Sequence, residues 1–275
     1  MRKSGLRGSY LTKGLLILGG IVMIFPFFWM VSSSLKNTAE AFATPPTLIP
    51  KAATLDNYRH VMTNLDLPRL FFNSISVSVT VTVIQVLTSA MAGYAFARLH
   101  FRGKKFLFLV YLMTMMVPMQ VIIVPLFIEM RQLHLLDSLL GLGLPMVVSA
   151  FGVFFMRQAM TGIPMEIEEA ALLDGASHIR IFRSIALPLT IPALSALTIL
   201  AFMSVWNAFL WPLVEIFSPE KMTLPLGLAN LQGEHSTDWP MVMAGTTLAV
   251  IPVILVYVGF QKHITQSFLT AGLKG

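Results

Sequence analysis

The chain has 275 residues, of which 56% are hydrophobic and only 12% charged. A soluble domain of this size carries about 25% charged residues, so a water-covered globule is excluded. The lack of cysteine excludes a disulfide scaffold, a thiolate metal site and cysteine catalysis, and the net charge of +6 follows membrane topology rather than a nucleic-acid partner.

A membrane-crossing helix needs about 20 mostly apolar residues. Six stretches qualify, so the expected fold class is an all-α integral membrane protein, with residues 1–275 forming a single transmembrane domain. In chain order, the basic segment Met1–Lys13 precedes the first stretch, Gly14–Leu35. That run is longer than the about 7–15 apolar residues of a secretion signal, and the cleavage-like Ala41-Phe42-Ala43 lies well past its end, so the stretch reads as a retained first helix. A long loop, Lys36–Leu70, holds Pro45, Pro46 and Pro50 and leads into the second stretch, Phe71–Ala97. A short basic connector with Arg98, Arg102, Lys104 and Lys105 precedes the third stretch, Phe106–Ile128. The short loop Glu129–Asp137 and the fourth stretch, Ser138–Met156, follow. The segment 157–187 is the longest of the inside loops. After it come the fifth stretch, Pro188–Leu213, an acidic loop, Val214–Pro240, and the sixth stretch, Met241–Phe260, with a tail over 261–275. The acidic loop carries Glu215, Glu220, Glu234 and Asp238 against Lys221. Pro118, Pro125, Pro145, Pro192 and Pro252 lie within the stretches, where neighbouring helices can satisfy the freed carbonyls.

Placing both termini in the cytoplasm puts 13 of the 19 basic residues in inside segments and six outside. The positive-inside rule selects that orientation. The interiors of the six stretches carry no ionisable residue, whereas proton-coupled carriers usually need one. Their polar groups are neutral: Ser74, Ser76, Ser78, Thr80, Thr82, Gln85, Thr88, Thr114, Gln120 and Asn207. Two roles stand open for them, adhesion between helices or a pathway for a neutral, hydrogen-bonding solute. Trp206, Phe209 and Trp211 pose the same choice between stacking on a solute and anchoring at the lipid–water boundary. Asn207 is the better pathway candidate, with Trp206 and Gln120 behind it. The six histidines show no ligand spacing. No GxxxxGK[ST], HExxH or GxSxG occurs, so no cofactor is expected in this chain, and an ATP-driven process would place ATP and magnesium in another one.

The segment from Ile163 reads IPMEIEEAALLDGASHIRIFRSIALP. Pro164 suits a first helical position, and Glu166, Glu168 and Glu169 suit the positive end of a helix. Gly175 suits a left-handed stop and Ser177 a cap for a second helix. Ile179, Phe182 and Ile185, three apart, share one face of that helix, which Pro188 should limit. Two short helices meeting at a glycine bend are expected. An amphipathic anchor on the bilayer surface is the plainer alternative, but such anchors carry Lys and Arg on the polar face, and this first helix is acidic.

This segment resembles the EAA motif of ABC importer permeases, EAA-x3-G-x9-I-x-L-P. Glu169, Ala170, Ala171, Gly175, Ile185, Leu187 and Pro188 match at the right spacing, with Asp174 beside the glycine. Softer similarities to carbohydrate, maltose-type permeases cover nearly the whole chain. They are Ser32-Ser33-Ser34-Leu35-Lys36, Thr54-Leu55-Asp56-Asn57-Tyr58, Asn73-Ser74, Trp206-Asn207 and the tail Leu269–Gly275. The resemblance implies the MetI-like fold of type I ABC importer permeases in a prokaryotic inner membrane. It implies as partners a second homologous permease, two ATP-binding subunits and an extracytoplasmic solute-binding protein. The loop would dock into the ATPase, Glu169 meeting a basic group there. The implied solute is a sugar or a sugar-like polyol, with glycerol phosphate carriers as close relatives; a self-contained secondary transporter is the rival reading.

Overall fold

The computed structural model describes residues 4–232 and 237–272, and of 4–11 and 264–272 the backbone alone. Glu234, together with Arg2, Lys3 and Lys274 of the basic count and His235 of the six histidines, lies outside the described residues. Among the described residues fifteen α-helices follow in order. They are α1 (Ser4–Ser34), α2 (Thr38–Ala41), α3 (Asp56–Asn64), α4 (Leu67–Arg98), α5 (Lys104–Met113) and α6 (Met119–Gln132). Then come α7 (Leu139–Gly143), α8 (Ala150–Thr161), α9 (Met165–Leu173), α10 (His178–Ile181) and α11 (Leu187–Leu189). The series ends with α12 (Ile191–Trp206), α13 (Leu210–Glu215), α14 (Leu224–Ala229) and α15 (Trp239–Gly272).

Four helical segments are long and apolar enough to cross a membrane: Thr12–Ser34, Leu67–Arg98, Ile191–Glu215 and Trp239–His263. Two bent pairs bring the number to six if each is one span. The third predicted stretch is not one helix. Lys104–Met116 and Met119–Gln132 meet at 99°, because Val117 precedes a proline and takes an extended ψ of 112°, as that position prefers. The fourth bends by 44° between Leu139–Met146 and Ala150–Thr161, where Pro145 starts a 3₁₀ turn and Ser149 Oγ accepts from Gly152 N at 3.0 Å. Pro125 and Pro252 stay inside α6 and α15. A single rule for intramembrane prolines therefore fails here. At Pro125 and Pro252 the helix continues, whereas at Pro118 the extended Val117 breaks it.

The chain forms two compact units, residues 1–67 with 228–251, and residues 68–227 with 252–275. In the first, the stretches Ser32–Lys36 and Thr54–Tyr58 turn out to be partners. Asn57 Nδ2 donates to Ser34 O and Lys36 O, both at 2.7 Å, and satisfies carbonyls at the end of α1 that have no helical partner. The Ser34 hydroxyl lies 2.6 Å from the Tyr58 hydroxyl, and Ser32 Oγ donates to Leu48 O at 2.5 Å. Lys36 is buried, its ammonium bonded to Thr47 O and 4.4 Å from the centre of the Trp29 ring. The long loop after α1 is thus a folded element.

In the second unit, α4 is the organising helix. Its inner face carries Ser74, Ser78 and Thr82, all buried, at fourfold helical spacing. Asn73 Nδ2 donates to Glu220 O and Met222 O at 2.9 Å each, and Ser74 Oγ accepts from Leu224 N at 2.6 Å, so the start of α4 holds the connection between α13 and α14. Further along, α8 crosses α4 with almost no gap. A Cβ on Gly93 would stand 2.7 Å from Met156 Cβ, and one on Gly152 would overlap the Ser89 hydroxyl. Small residues let membrane helices approach this closely.

Two apolar clusters lie along α4, one before that crossing and one at it. One gathers Val77, Val81, Met130, Leu142, Val205 and Trp211, the other Ala90, Tyr94, Met156, Met160, Ile181 and Leu197. Glu215, counted above with an outer loop, is fully buried and ends α13, its Oε1 accepting from Ser138 N at 3.2 Å. Beside it Asp137 sits at a positive φ of 54°. Its carboxylate accepts from the Ser218 hydroxyl, from the Ser218 and Phe217 amides and from Lys221. Those donors, led by the Ser218 hydroxyl, hold its carboxyl well below the usual carboxylate range.

Candidate functional site

The segment 157–187 forms the two short helices that its caps imply. Helix α9 runs Met165–Leu173 with Pro164 as its N-cap, one position earlier than expected. Glu166 and Glu168 lie in the first turn, where the helix dipole favours them. The C-terminal end is a Schellman motif. Ala176 N donates to Ala171 O at 2.9 Å and Gly175 N to Leu172 O at 3.0 Å, with Gly175 at φ +78°. Ser177 caps α10, its hydroxyl accepting from Arg180 N at 3.4 Å.

Beyond α10 the expectation for Pro188 fails. The chain does not stop there but passes through a π turn, Phe182–Ala186, into α11 and, after Thr190, α12. Leu187 N reaches back to Phe182 O. The turn is wide enough to carry the proline without ending the helical path, and the Thr190 hydroxyl donates to Ala186 O at 2.8 Å. Of the three residues expected on one face, Phe182 and Ile185 pack into the second cluster beside Ile181 and Ala186, and Ile179 alone is exposed. The Phe182 ring lies 5.2 Å from that of Tyr94 on α4.

What fixes the hairpin is an ion pair that no sequence motif announces. Arg98, the last residue of α4, and Glu168 on α9 meet at 2.9 Å between Nε and Oε1, each side chain 7% exposed. The same guanidinium donates to Met160 O at 2.6 Å and Ile163 O at 2.5 Å. It therefore binds the end of α8 and the first turn of α9 at once. A phased α9 in the sequence could have pointed to Glu168, because it lies three residues before Ala171, which packs inward. Nothing local points to Arg98.

The opposite face of the hairpin is open. Glu169, Ala170, Leu172, Leu173, Asp174 and Gly175 are exposed, Leu173 at 90%. A Cβ on Gly175 would meet nothing within 4 Å, so the demand for glycine there is conformational. The exposed leucines stand next to carboxylates on this short polar connector.

The model of the family "Binding-protein-dependent transport system inner membrane component" matches residues 85–270. The chain belongs to this family of inner-membrane transport permeases. The arabinooligosaccharide transport system permease AraQ of Halalkalibacterium halodurans is 35% identical over 92% of each chain. The lactose transport system permease LacG of Rhizobium radiobacter is 34% identical, again over 92% of each. Among solved structures, a bacterial ABC transporter involved in importing the acidic polysaccharide alginate aligns with a TM-score of 0.76 and 26% identity, over 95% of this chain and 98% of that one. The permease is thus a multi-pass inner-membrane protein with the ABC importer permease fold.

The pathway candidates of this permease separate in the structure. Trp206 is 3% exposed, its ring 5.6 Å from Phe202 and 6.2 Å from Phe71. Trp211 is buried in the first cluster, so neither ring is a lipid-boundary anchor. Asn207 is exposed at the end of α12, Nδ2 donating to Met203 O at 2.8 Å. Gln120 is exposed in the first turn of α6, and the structure does not bring it together with Asn207 by any bond. An open groove of about 390 Å³ runs along α4 and α7 past Ser76 and Thr80, on the face turned away from the buried Ser74–Ser78–Thr82 row.

Proposed function

We propose that this permease forms, with a second homologous permease, the translocation pathway of an ABC importer for a sugar or sugar-like solute. An extracytoplasmic binding protein delivers the solute, and two separate subunits bind and hydrolyse ATP with magnesium. The observation that carries this is the hairpin Met165–Ala176, anchored to α4 by a buried ion pair and presenting a face of exposed leucines and carboxylates. Such a surface suits docking into an ATPase, with Glu169 meeting a basic group, Ala170 and Ala171 allowing close approach and Gly175, Ile185, Leu187 and Pro188 setting the angle into α12. The sugar class rests on relatives named for arabinooligosaccharide and lactose transport and on apolar stretches whose interiors carry only neutral polar groups. Within the pathway, Asn207 and Gln120 offer amides to solute hydroxyls, and Trp206, packed on Phe202 and Phe71, anchors the end of α12. The rival class of substrates, glycerol phosphate or another anion, would ask for a basic group in the pathway.

The test is purification of the tagged chain from its own cells. An ATP-binding subunit should copurify, and the reconstituted complex should hydrolyse ATP faster with a loaded binding protein. The chain alone should neither hydrolyse nor bind ATP. Transport by the chain alone in liposomes would instead make it a secondary transporter. Orientation is tested separately, because the hairpin must face the ATPase. A reporter active only outside the cytoplasm should work when fused after Lys51 or Glu234 and stay silent after Lys104 or His178. The opposite pattern overturns the docking role.

A further inference from the structure

The positive charges between α4 and α5 do more than report topology. They line a recess of about 1230 Å³ whose wall includes Arg102, Lys104, Lys105 and Arg157, with no carboxylate among the lining residues. Two of the four are held in place by the protein. Lys104 Nζ donates to Ala97 O at 3.2 Å and Leu99 O at 2.9 Å, closing the C-terminal end of α4. Arg157 Nε donates to Phe96 O at 3.2 Å, and its guanidinium lies 4.4 Å from the centre of the Phe108 ring. Arg102 and Lys105 are exposed and make no ion pair among the described residues. Four cations drawn together without an acid repel one another, and a concave arrangement of one sign concentrates counter-ions.

Apart from His100 and Gly103, the rest of the wall is apolar. Phe106, Leu109 and Leu112 continue from the basic rim along α5, and Phe106 is 70% exposed. The rim stands where one membrane span ends, at Arg98, and the next begins, at Lys104. That is the depth of lipid headgroups. A soluble anion would use the cations and leave the apolar wall wet, and a neutral lipid would leave the cations unmatched. Both halves are used together by a molecule with a phosphate at one end and an acyl chain at the other.

We infer that this recess binds an anionic phospholipid, its phosphate on Arg102, Lys105 and Arg157 and an acyl chain along Phe106, Leu109 and Leu112. Basic pockets between membrane helices recognise such headgroups by charge. The site is separate from the hairpin surface, so it stands or falls independently of the coupling role.

The test uses the full-length chain in neutral detergent, examined by native mass spectrometry with added phosphatidylglycerol or phosphatidylcholine. Phosphatidylglycerol should be retained in preference to phosphatidylcholine by roughly 30- to 150-fold, the scale expected for two or three cations near a phosphate, and millimolar inorganic phosphate should not displace it. Arg102→Gln with Lys105→Gln should remove most of that preference without lowering the melting temperature, since both side chains are exposed. Arg180→Gln with Arg183→Gln, exposed cations outside the recess, should leave it unchanged. Equal retention of the two lipids overturns the inference. So does an equal effect of the two double variants, which would mean diffuse surface charge. Displacement by inorganic phosphate would make the recess a free-anion site, and a copurifying protein segment that blocks lipid uptake would make it an interface.

Discussion

Glu169→Lys should abolish solute uptake while the protein inserts at normal levels. The side chain is exposed on α9, so the exchange leaves every buried contact of the hairpin in place and changes only the charge offered to a partner. The expected loss is large for a reason of magnitudes. Inverting a conformational equilibrium from 1:99 to 99:1 takes about 5.5 kcal/mol, whereas an exposed ion pair supplies about 0–1 kcal/mol. The docked surface as a whole must carry the rest, and a lysine set against a basic group works against all of it, since like charges at an interface cost several kcal/mol. Gly175→Val should give a comparable loss by another route. No Cβ clash exists, but φ is +78°, which costs a side-chain-bearing residue about 1–2 kcal/mol and a β-branched one more. The Schellman turn should open and the exposed leucines should shift relative to α10. Gly175→Asn is the control, since asparagine tolerates the left-handed region, and it should retain most transport. Uptake is measured beside the amount of ATPase recovered with the tagged permease. Normal transport in both Glu169→Lys and Gly175→Val, with the ATPase still recovered, would show that the hairpin is not the coupling element.

The sequence shows what is local and conceals what is distant. The spans are legible because an unbroken run of about 20 apolar residues suits little besides a membrane crossing. The hairpin is legible because Gly175 and Ser177 act on their immediate neighbours. The break at Val117 is not, since a proline in a membrane helix is compatible with either a continuing helix or a break, and packing decides. Stretches that read as family similarity prove to be contacts across the chain. Asn57 closes α1, and Asn73 with Ser74 holds the connection after α13. Their appearance in a sugar-permease pattern therefore reflects the scaffold rather than solute contact. The serines split likewise, since helical phase alone does not say which face of α4 meets protein. The row Ser74–Ser78–Thr82 is buried, and Ser76 and Thr80 border an open groove.

The same limit hid the pair that sets the hairpin, and here the structure predicts a result that the sequence does not suggest. Arg98 and Glu168 are 70 positions apart in the chain, yet their side chains are 7% exposed and 2.9 Å from each other. Removing one partner from such a pair typically costs 3–5 kcal/mol, because the other is left charged and buried. Arg98→Met should be the more damaging change. It strands the Glu168 carboxylate together with Met160 O and Ile163 O, which the guanidinium now satisfies. Glu168→Leu leaves those two bonds in place and loses the counter-charge alone. Arg98→Met should lower the melting temperature of the detergent-solubilised permease by on the order of 10 °C, and Glu168→Leu by somewhat less. The double variant should then be more stable than Arg98→Met alone, since two apolar side chains replace a charge and its stranded partner. Transport should not recover with it. Without the guanidinium the end of α8 and the first turn of α9 lose a shared bonding partner, so the hairpin keeps its apolar packing on α4 but its first turn loses its fixed position. A double variant that regains both stability and uptake would show the pair to be ordinary packing, and one no more stable than Arg98→Met would show that the guanidinium acts through the two carbonyls rather than through Glu168.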